Sequence, residues 1–264
     1  MTHFYTRAHK KSDHKPHARL KSSNEFNNAY QLLGYGNTIK GNVRDSNQDA
    51  FIVNNEQKYW LVIDGMGGHA GGNFASRLIH DTFPKLFDAS APENSLLKMH
   101  DILLAHAEHD IEHIGMGATI ILAVQTPSSM QYAPQELKVF WLGDCRAYCL
   151  DKIDIKQISK DHTFVQHLID LSVLDENAAK HHPKRHIVTR CIGGRQDSHP
   201  QIDSVKLCLN TQQSLLLCSD GIHDQIDNCH IRQTLLAGDD IEKSVDALLQ
   251  LSNEQGGNDN ATAI

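Results

Sequence analysis

Aspartates stand beside glycine at the ends of apolar segments, an arrangement suited to binding a cation. The apolar runs YWLVI, KVFWL and SLLLCS lead to Asp64, Asp144 and Asp220. Asp259 lies in a Gly-Gly-Asn-Asp-Asn turn, and Asp49 directly precedes another predicted strand. A carboxylate at the mouth of a buried strand is costly unless it is solvated, paired or bound to a cation. One Asp-Gly pair is more simply a turn, but several such placements in one chain favour a shared site.

The donor atoms available in these segments favour hard divalent cations. Carboxylate oxygens without an accompanying His and Cys cluster suit Mg²⁺ or Mn²⁺ better than Zn²⁺. Glycine allows close backbone approach, so the carbonyl oxygen of Gly65 can also serve as a ligand.

The segments that carry the aspartates are predicted to be strands, grouped on either side of a helix pair. Short apolar runs at 59–63, 118–124 and 137–142 predict strands, and spaced apolar positions predict helices that begin near Asn73 and after Pro92. This grouping is typical of an α+β fold with antiparallel sheets and not of βαβ alternation. Further strands are predicted at 50–53, 147–150, 155–158, 187–192, 203–209, 214–218 and from Ala261, with helical segments at 163–186 and around 240–251.

Length and composition indicate a single soluble domain. The 264 residues are 40% hydrophobic and 22% charged, which is ordinary for a globular chain with one sizeable core. No apolar run approaches the roughly 18–20 residues that a membrane span requires, and the basic start lacks the apolar stretch of a secretory signal. The six cysteines are scattered, so we expect reduced thiols and a cytoplasmic location, with no membrane partner.

The net charge of −7 is distributed unevenly along the chain. Residues 1–30 carry a balance of +4, and the remainder therefore carries −11. An acidic body argues against a nucleic-acid partner, because binding nucleic acid requires cations to neutralise phosphates. We expect residues 1–34 to form a basic, disordered tail, because they hold too few apolar residues to offset the entropy of ordering them.

Six segments carry a family resemblance: GNVRDSNQDA (41–50), VIDGMGGHAGG (62–72), GMGAT (115–119), WLGDCRAY (141–148), CSDGIHD (218–224) and GGNDNATAI (256–264). In this order, over roughly residues 35–264, they resemble the metal-dependent Ser/Thr protein phosphatases of the type 2C class, in their bacterial form. The resemblance implies a domain at 35–264 built as a four-layer α/β/β/α sandwich, in which two antiparallel β-sheets are flanked by helix pairs. It also implies a flap at about 163–186, beside the active site.

The resemblance implies a pair of Mn²⁺ or Mg²⁺ ions. Asp64 would bridge the two ions, with the carbonyl oxygen of Gly65 as a further ligand. Asp220 and Asp259 would complete the shell of the first ion, and Asp49 would hold metal-bound waters. Two such ions about 3.5–4 Å apart lower the pKa of a bridging water towards neutrality, so hydroxide is available at pH 7 without a Ser or Cys nucleophile.

Three further residues receive roles from the same resemblance. Arg44 would clamp the substrate phosphate, because its planar guanidinium donates to two oxygens at once. His69 would protonate the leaving oxygen as general acid, and Asp144 would bind a weaker third ion. The chain departs from the usual pattern at Gln48, where many eukaryotic relatives have Glu, and at Cys145, where Ser is usual. We expect neither change to abolish activity.

The implied function is hydrolysis of phosphoserine and phosphothreonine on proteins, by in-line attack of a metal-bridging hydroxide. We expect phosphorylated proteins as partners, among them a Ser/Thr kinase and the substrates whose phosphorylation this chain reverses, and we expect a monomer. One alternative is a catalytically silent module of the same fold that binds a phosphoprotein. Another is a phosphatase that acts on a small metabolite or as an anti-sigma-factor antagonist, with the same chemistry.

Overall fold

The computed structural model describes residues 31–109, 115–126, 135–194, 199–238 and 240–264, which form ten strands and seven helices. None of the helices in these ranges is both long and apolar enough to cross a membrane. The strands are β1 (Asn37–Ile39), β2 (Asp49–Asn54), β3 (Tyr59–Met66), β4 (Gly117–Gln125), β5 (Gln135–Leu142), β6 (Arg146–Leu150), β7 (Ile155–Gln157), β8 (Asp203–Leu209), β9 (Ser214–Cys218) and β10 (Ala261–Ala263). The helices are α1 (Gly68–Leu86), α2 (Pro92–His109), α3 (Phe164–Asp170), α4 (Glu176–Lys180), α5 (Asp220–His223), α6 (Asn228–Ala237) and α7 (Ile241–Glu254).

Two antiparallel sheets of five strands each organise the chain. The first sheet has the order β2-β3-β4-β5-β8, and the second has the order β1-β10-β9-β6-β7. Residues 59–63 of β3 are all buried, as is every residue of β4 except the last. Both strands lie inside the first sheet with side chains packed on its two faces, which explains their continuous apolar sequences.

Side chains that alternate along the strands divide the core into three apolar clusters and hence the molecule into four layers. In β3, Ile63 packs against α1 and α2, whereas its neighbour Val62 packs between the two sheets. In β9, Leu217 joins Val62 between the sheets, and Leu216 packs towards α6 and α7. The α+β, four-layer α/β/β/α sandwich predicted from the sequence is confirmed.

Two local predictions differ from the structure, and one further helix was missed. Helix α1 begins at Gly68, ahead of the start predicted near Asn73, because its first turn is rich in glycine and carries no helical pattern. The segment 187–192 forms isolated bridges and no strand. Helix α6 was not predicted; only one of its residues, Ile231, is buried, so its apolar periodicity is weak.

The last residue contributes directly to packing between the sheets. Ile264 is 8% exposed and belongs to the apolar cluster that contains Val62 and Leu217. Its backbone N–H donates to the carbonyl of Leu217 and its carbonyl accepts from the N–H of Leu217, both at 2.9 Å. The pairing of the second sheet therefore continues through β10 to Ile264.

We predict that Ile264→Ala lowers the free energy of unfolding by about 2–5 kcal/mol, because it leaves a cavity between the sheets. The thermal midpoint should fall by roughly 5 °C or more. Ile153→Ala is the matched control, since Ile153 is 88% exposed and the same atoms are removed there from water. Equal midpoints for the two variants, measured by differential scanning fluorimetry, would contradict the packing of Ile264.

Candidate active site

Asp49 and Asp64 lie opposite each other on the neighbouring strands β2 and β3. One oxygen of Asp49, Oδ2, accepts hydrogen bonds from the hydroxyls of Ser219 and Thr262, each at 2.7 Å. Ser219 follows β9 and Thr262 lies in β10, so these bonds cross from the first sheet to the second. Both aspartates are thereby placed at the edge where the two sheets meet.

The backbone at Gly65 is held too closely for a side chain. Its N–H donates to the carbonyl of Gln48 at 3.1 Å. A Cβ added at Gly65 would lie 2.1 Å from the carbonyl oxygen of Gly72, which belongs to α1. Glycine at this position therefore lets the start of α1 pack directly against the end of β3, beside Asp64.

A tight turn after β5 presents Asp144. Gly143 has a φ of 103°, and a Cβ added there would collide with Thr119. His162 fixes the turn through two hydrogen bonds to Gly143. Its ring Nδ1 accepts from the backbone N–H of Gly143 at 3.1 Å, and its backbone N–H donates to the carbonyl of Gly143 at 2.9 Å. Nε2 of His162 lies 3.3 Å from Asp203 and carries the proton of the neutral ring. Burial lowers the pKa of His162 and favours this neutral form.

Asp220 and Asp259 approach the same region from the second sheet. Asp220 is the first residue of α5, immediately after β9, and Asp259 lies in the loop before β10. The next residue, Asn260, accepts from the N–H of Gln48 at 2.8 Å and donates to the carbonyls of Lys40 and Ser46 at 2.8 and 3.0 Å. Asn260 was not among the site residues predicted from the sequence, although it lies in the GGNDNATAI segment. It connects the Asp259 loop to residues 40–48.

Arg44 reaches the same cleft and pairs with a carboxylate there. Its Nη2 donates to Oδ2 of Asp259 at 2.6 Å, and its side chain is 51% exposed. This hydrogen bond raises the pKa of Arg44, with further support from the charges of Asp220 and Asp64. A guanidinium near several carboxylates is attracted to all of them, because their charges add at short range.

Six of the eight residues singled out from the sequence line one cleft of about 690 Å³ between the sheets and the flap. Asp49 lies behind them and does not line it. His69 falls in the first turn of α1, and its side chain lies outside the described part of the chain. The six are Arg44, Asp64, Gly65, Asp144, Asp220 and Asp259.

The carboxylates around the cleft destabilise one another's charged forms. Burial raises the pKa of Asp64 and of Asp220 well above the usual range, and the neighbouring carboxylates raise both further. Burial also raises the pKa of Asp144. The pKa of Asp49 is raised to about 6, mainly by burial, although its hydroxyl partners oppose the shift. A set of oxygen donors whose charges need compensation fits hard divalent cations such as Mg²⁺ and Mn²⁺.

Cys145 lies behind Asp64 and is not a nucleophile. Its Sγ is 3.1 Å from Oγ1 of Thr119, and the residue is 1% exposed. Burial and the charge of Asp64 raise the pKa of its thiol well above the usual value. Only the thiolate is a good nucleophile, so the chemistry of the cleft depends on its carboxylates.

The segment predicted as a flap supplies residues to the rim of the cleft. It forms the short helices α3 and α4, and its base is closed where the N–H of Phe164 donates to the carbonyl of Ile187 at 2.8 Å. Arg185 and His186 line the cleft from this base, and Asp224 lines it from the end of α5. Asp224 could have been predicted to line the cleft, because it follows Asp220 by four residues.

We predict that the metal-free protein becomes less stable as the pH rises from about 4 to above 6. The folded-state pKa of Asp49, about 6, exceeds the value of 3.8 for a free side chain. The protonated form of Asp49 therefore stabilises the fold fully below pH 3.8, and this stabilisation is lost as the pH rises past 6. In EDTA, the thermal midpoint of the wild type should fall between pH 5.0 and 7.5 by several degrees more than that of Asp49→Asn. Identical pH dependence of the two proteins would contradict this.

Comparisons with known proteins identify the family of this chain. Residues 40–262 match the family model described as protein phosphatase 2C. The serine/threonine phosphatase stp of Listeria innocua is 28% identical over 241 residues, which cover 86% of this chain and 92% of that protein. The structure of the serine/threonine phosphatase Stp1 from Staphylococcus aureus has a TM-score of 0.78 and 30% identity, covering 88% of this chain and 93% of that chain.

A further solved structure bears on the metal. The catalytic domain of the serine/threonine protein phosphatase PstP was crystallised with two manganese ions; it has a TM-score of 0.73 and 26% identity, covering 87% of this chain and 94% of that chain. The family match spans most of the sequence, and the solved relatives share its sandwich of two sheets. This chain belongs to the protein phosphatase 2C family.

Proposed function

We propose that this chain is a metal-dependent protein phosphatase that hydrolyses phosphoserine and phosphothreonine on proteins and so opposes Ser/Thr kinases. The observation that carries the proposal is the grouping of buried carboxylates from both sheets around one cleft that also holds Arg44. The named relatives are Ser/Thr phosphatases, which supports the same substrate class here.

The metal ligands proposed for the cleft are Asp64, Asp220, Asp259 and the carbonyl oxygen of Gly65. Asp49 would orient water beside them, held in place by its two hydroxyl donors. When bound, two divalent cations supply positive charge at the phosphate and an activated water as nucleophile. Mn²⁺ and Mg²⁺ both suit these oxygen donors, and the relative crystallised with two manganese ions favours Mn²⁺. Asp144 would serve a third, weaker ion.

Arg44 is proposed to hold the substrate phosphate. Asp259 engages its Nη2, but a guanidinium carries five N–H donors, so a phosphate can bind while part of the pairing persists. Its half-exposed side chain lies on the loop that Asn260 ties down, which keeps the guanidinium at the mouth of the cleft. His69 is proposed as the general acid for the leaving oxygen, from the first turn of α1.

The organisation of the chain completes the proposal. Residues 35–264 would form the phosphatase domain, residues 163–186 its flap, and residues 1–34 a basic tail. Phosphoproteins are the proposed substrates, and a Ser/Thr kinase is the proposed functional counterpart. We propose a monomer in the cytoplasm. A catalytically silent binding module finds no support, because the ligand-matching aspartates are all present and the relatives reported above are named phosphatases.

We predict that Asp64→Asn lowers turnover of p-nitrophenyl phosphate and of a phosphothreonine peptide at least about 100-fold, because it removes the charge of a carboxylate that would hold the divalent ions. EDTA should stop the wild type, and added Mn²⁺ should restore it. Asp101→Asn, on an exposed position of α2, is the control and should keep full activity. Near-normal turnover in Asp64→Asn would refute the assignment of the cleft.

We predict that Arg44→Ala mainly raises KM, by about tenfold or more, because the lost donors bind phosphate in both ground and transition states. Arg44→Lys should recover part of the loss, since it restores the charge but not the planar fork. Steady-state kinetics with the phosphothreonine peptide provide the measurement. A large fall in kcat at unchanged KM would contradict a role in phosphate binding.

A further inference from the structure

Three of the four edge strands in the two sheets have an N–H that donates to a nearby side chain. Strands β1, β2 and β7 each lie at the edge of a sheet, and in each of them an Asn or Asp accepts this hydrogen bond. An edge with free N–H and C=O groups invites pairing with another chain, so these contacts help to protect the edges. The bonds run from the N–H of Thr38 to Asn37 at 2.8 Å, from that of Asp49 to Asn47 at 3.1 Å, and from that of Ile155 to Asp154 at 2.8 Å.

The fourth edge strand is β8, and the pairing of its neighbours shows which of its backbone groups face outward. The N–H of Thr126 donates to the carbonyl of Glu136 at 2.8 Å, so Glu136 and every second residue after it in β5 direct their backbone groups to β4. The alternate residues of β5 bond to β8, in a register that places Leu137 opposite Leu207. The residues of β8 that direct their N–H and C=O groups away from the sheet are therefore Ser204, Lys206 and Cys208.

The outward edge of β8 has no such protection among the described residues. Its three outward residues are exposed, and their backbone groups have no hydrogen-bond partner in the described ranges. Strand β8 has seven residues, whereas β1 and β7 have three each. An added strand would meet three N–H donors and three C=O acceptors, which is the way that sheet edges bind extended peptides.

The charge on this edge selects the kind of strand that can bind. Lys138 of β5 lies directly opposite Lys206, in the type of pair whose side chains come closest together. Like charges in such a pair destabilise a sheet. Nζ of Lys138 lies 4.6 Å from the ring centroid of Phe140, whereas Lys206 has no ion-pair partner in the described part of the chain. A carboxylate on an added strand, directly across from Lys206, would compensate this charge.

The alternation of side chains along β8 defines the neighbours of that carboxylate. Val205 and Leu207 are half-buried and pack against the apolar cluster between the sheets. Residues on either side of a carboxylate across from Lys206 would lie on the same face as Val205 and Leu207. Apolar side chains at those two positions would extend the apolar face. The surface therefore fits an acidic residue flanked by apolar, β-branched residues.

The same charge disfavours two other occupants of this edge. A second copy that paired antiparallel through β8, symmetrically about Lys206, would place two Lys206 side chains opposite each other. Residues 1–30 of this chain carry a balance of +4 and would also bring positive charge to Lys206. An acidic segment of another protein is the occupant that the charge favours.

We propose that the outward edge of β8 binds an extended acidic segment of another protein as a sixth strand of the first sheet. No residue of β8 lines the cleft, so this surface is separate from the candidate active site. Asp203, at the start of β8, lies 3.3 Å from Nε2 of His162, which holds the turn that presents Asp144. A segment bound along β8 would therefore end near the cleft. Only the inference that this recruits phosphoproteins rests on the proposed function.

The test is fluorescence polarisation of the full-length chain with a labelled nonapeptide of alternating threonine and valine that has glutamate at its centre. A matched peptide has lysine at the centre. We expect the wild type to bind the glutamate peptide about fivefold or more tightly than the lysine peptide, because one pairs opposite charges across from Lys206 and the other pairs like charges. We expect Lys206→Glu to reverse this preference.

Three outcomes of these titrations would overturn the proposal. They are an absence of binding of the glutamate peptide to the wild type, equal binding of the two peptides, and an unchanged preference in Lys206→Glu. Thermal unfolding establishes that the variant is folded, and Lys206 is exposed, so the substitution leaves the core intact.

A second pair of variants tests the backbone pairing itself. Cys208→Pro removes one outward N–H and places a ring on the edge, and proline is tolerated where the N–H of an edge strand faces solvent. We expect it to weaken binding of the glutamate peptide about tenfold, while Cys208→Ala, which keeps the N–H, binds like the wild type. Wild-type binding by folded Cys208→Pro would contradict strand addition. If Cys208→Pro does not fold, the reversal in Lys206→Glu decides.

Sedimentation velocity distinguishes the remaining occupant, a second copy of the chain. We expect a monomer at the concentrations used for the titrations. A wild-type dimer that Cys208→Pro abolishes would overturn the proposal and assign the edge to self-association.

The binding experiments use neither phosphate nor turnover, so they separate this proposal from the proposed function. If Asp64→Asn is inactive and the wild type does not bind the glutamate peptide, the phosphatase assignment stands and the β8 surface fails. If Asp64→Asn remains active and Lys206→Glu reverses the peptide preference, the β8 surface stands and the phosphatase assignment fails.

Discussion

Mutual repulsion among buried carboxylates is the constraint on which the rest of this structure depends. Asp64 ends a strand of the first sheet and Asp220 follows a strand of the second, and the pKa of each is raised by its burial and by the neighbouring carboxylates. Grouping charges in this way costs stability unless opposite charge compensates them. Arg44 supplies part of that compensation through Asp259, and the oxygen donors are suited to divalent cations for the remainder. The binding of divalent cations therefore best explains why so many carboxylates are grouped in this cleft.

The two sheets hold these charges through short, specific links. Asp49 in the first sheet accepts hydroxyl hydrogen bonds from Ser219 and Thr262 of the second. Asn260 binds three backbone groups of the segment that contains Arg44. Gly65 permits an approach of α1 that any side chain would prevent. These links use short side chains and backbone groups, which leave few rotatable bonds between the acids and the sheets.

The flap is connected to the same framework at its base. His162 holds the turn that presents Asp144, and its carbonyl accepts from the N–H of Thr189, where the chain leaves the flap. The flap therefore begins and ends beside a residue that shapes the cleft.

Apolar periodicity and the placement of Asp beside Gly are local signals, and they were sufficient to predict most of the strands, the α+β class and the aspartates that lie around the cleft. Motifs such as that around Asp64 were sufficient to predict the family. The start of α1, the pairing of Arg44 with Asp259 and the contact between His186 and Asp224 became visible only in the folded chain. Those contacts join residues that are far apart in the chain or that carry no periodic pattern, and their distances are set by how the sheets and the flap pack together.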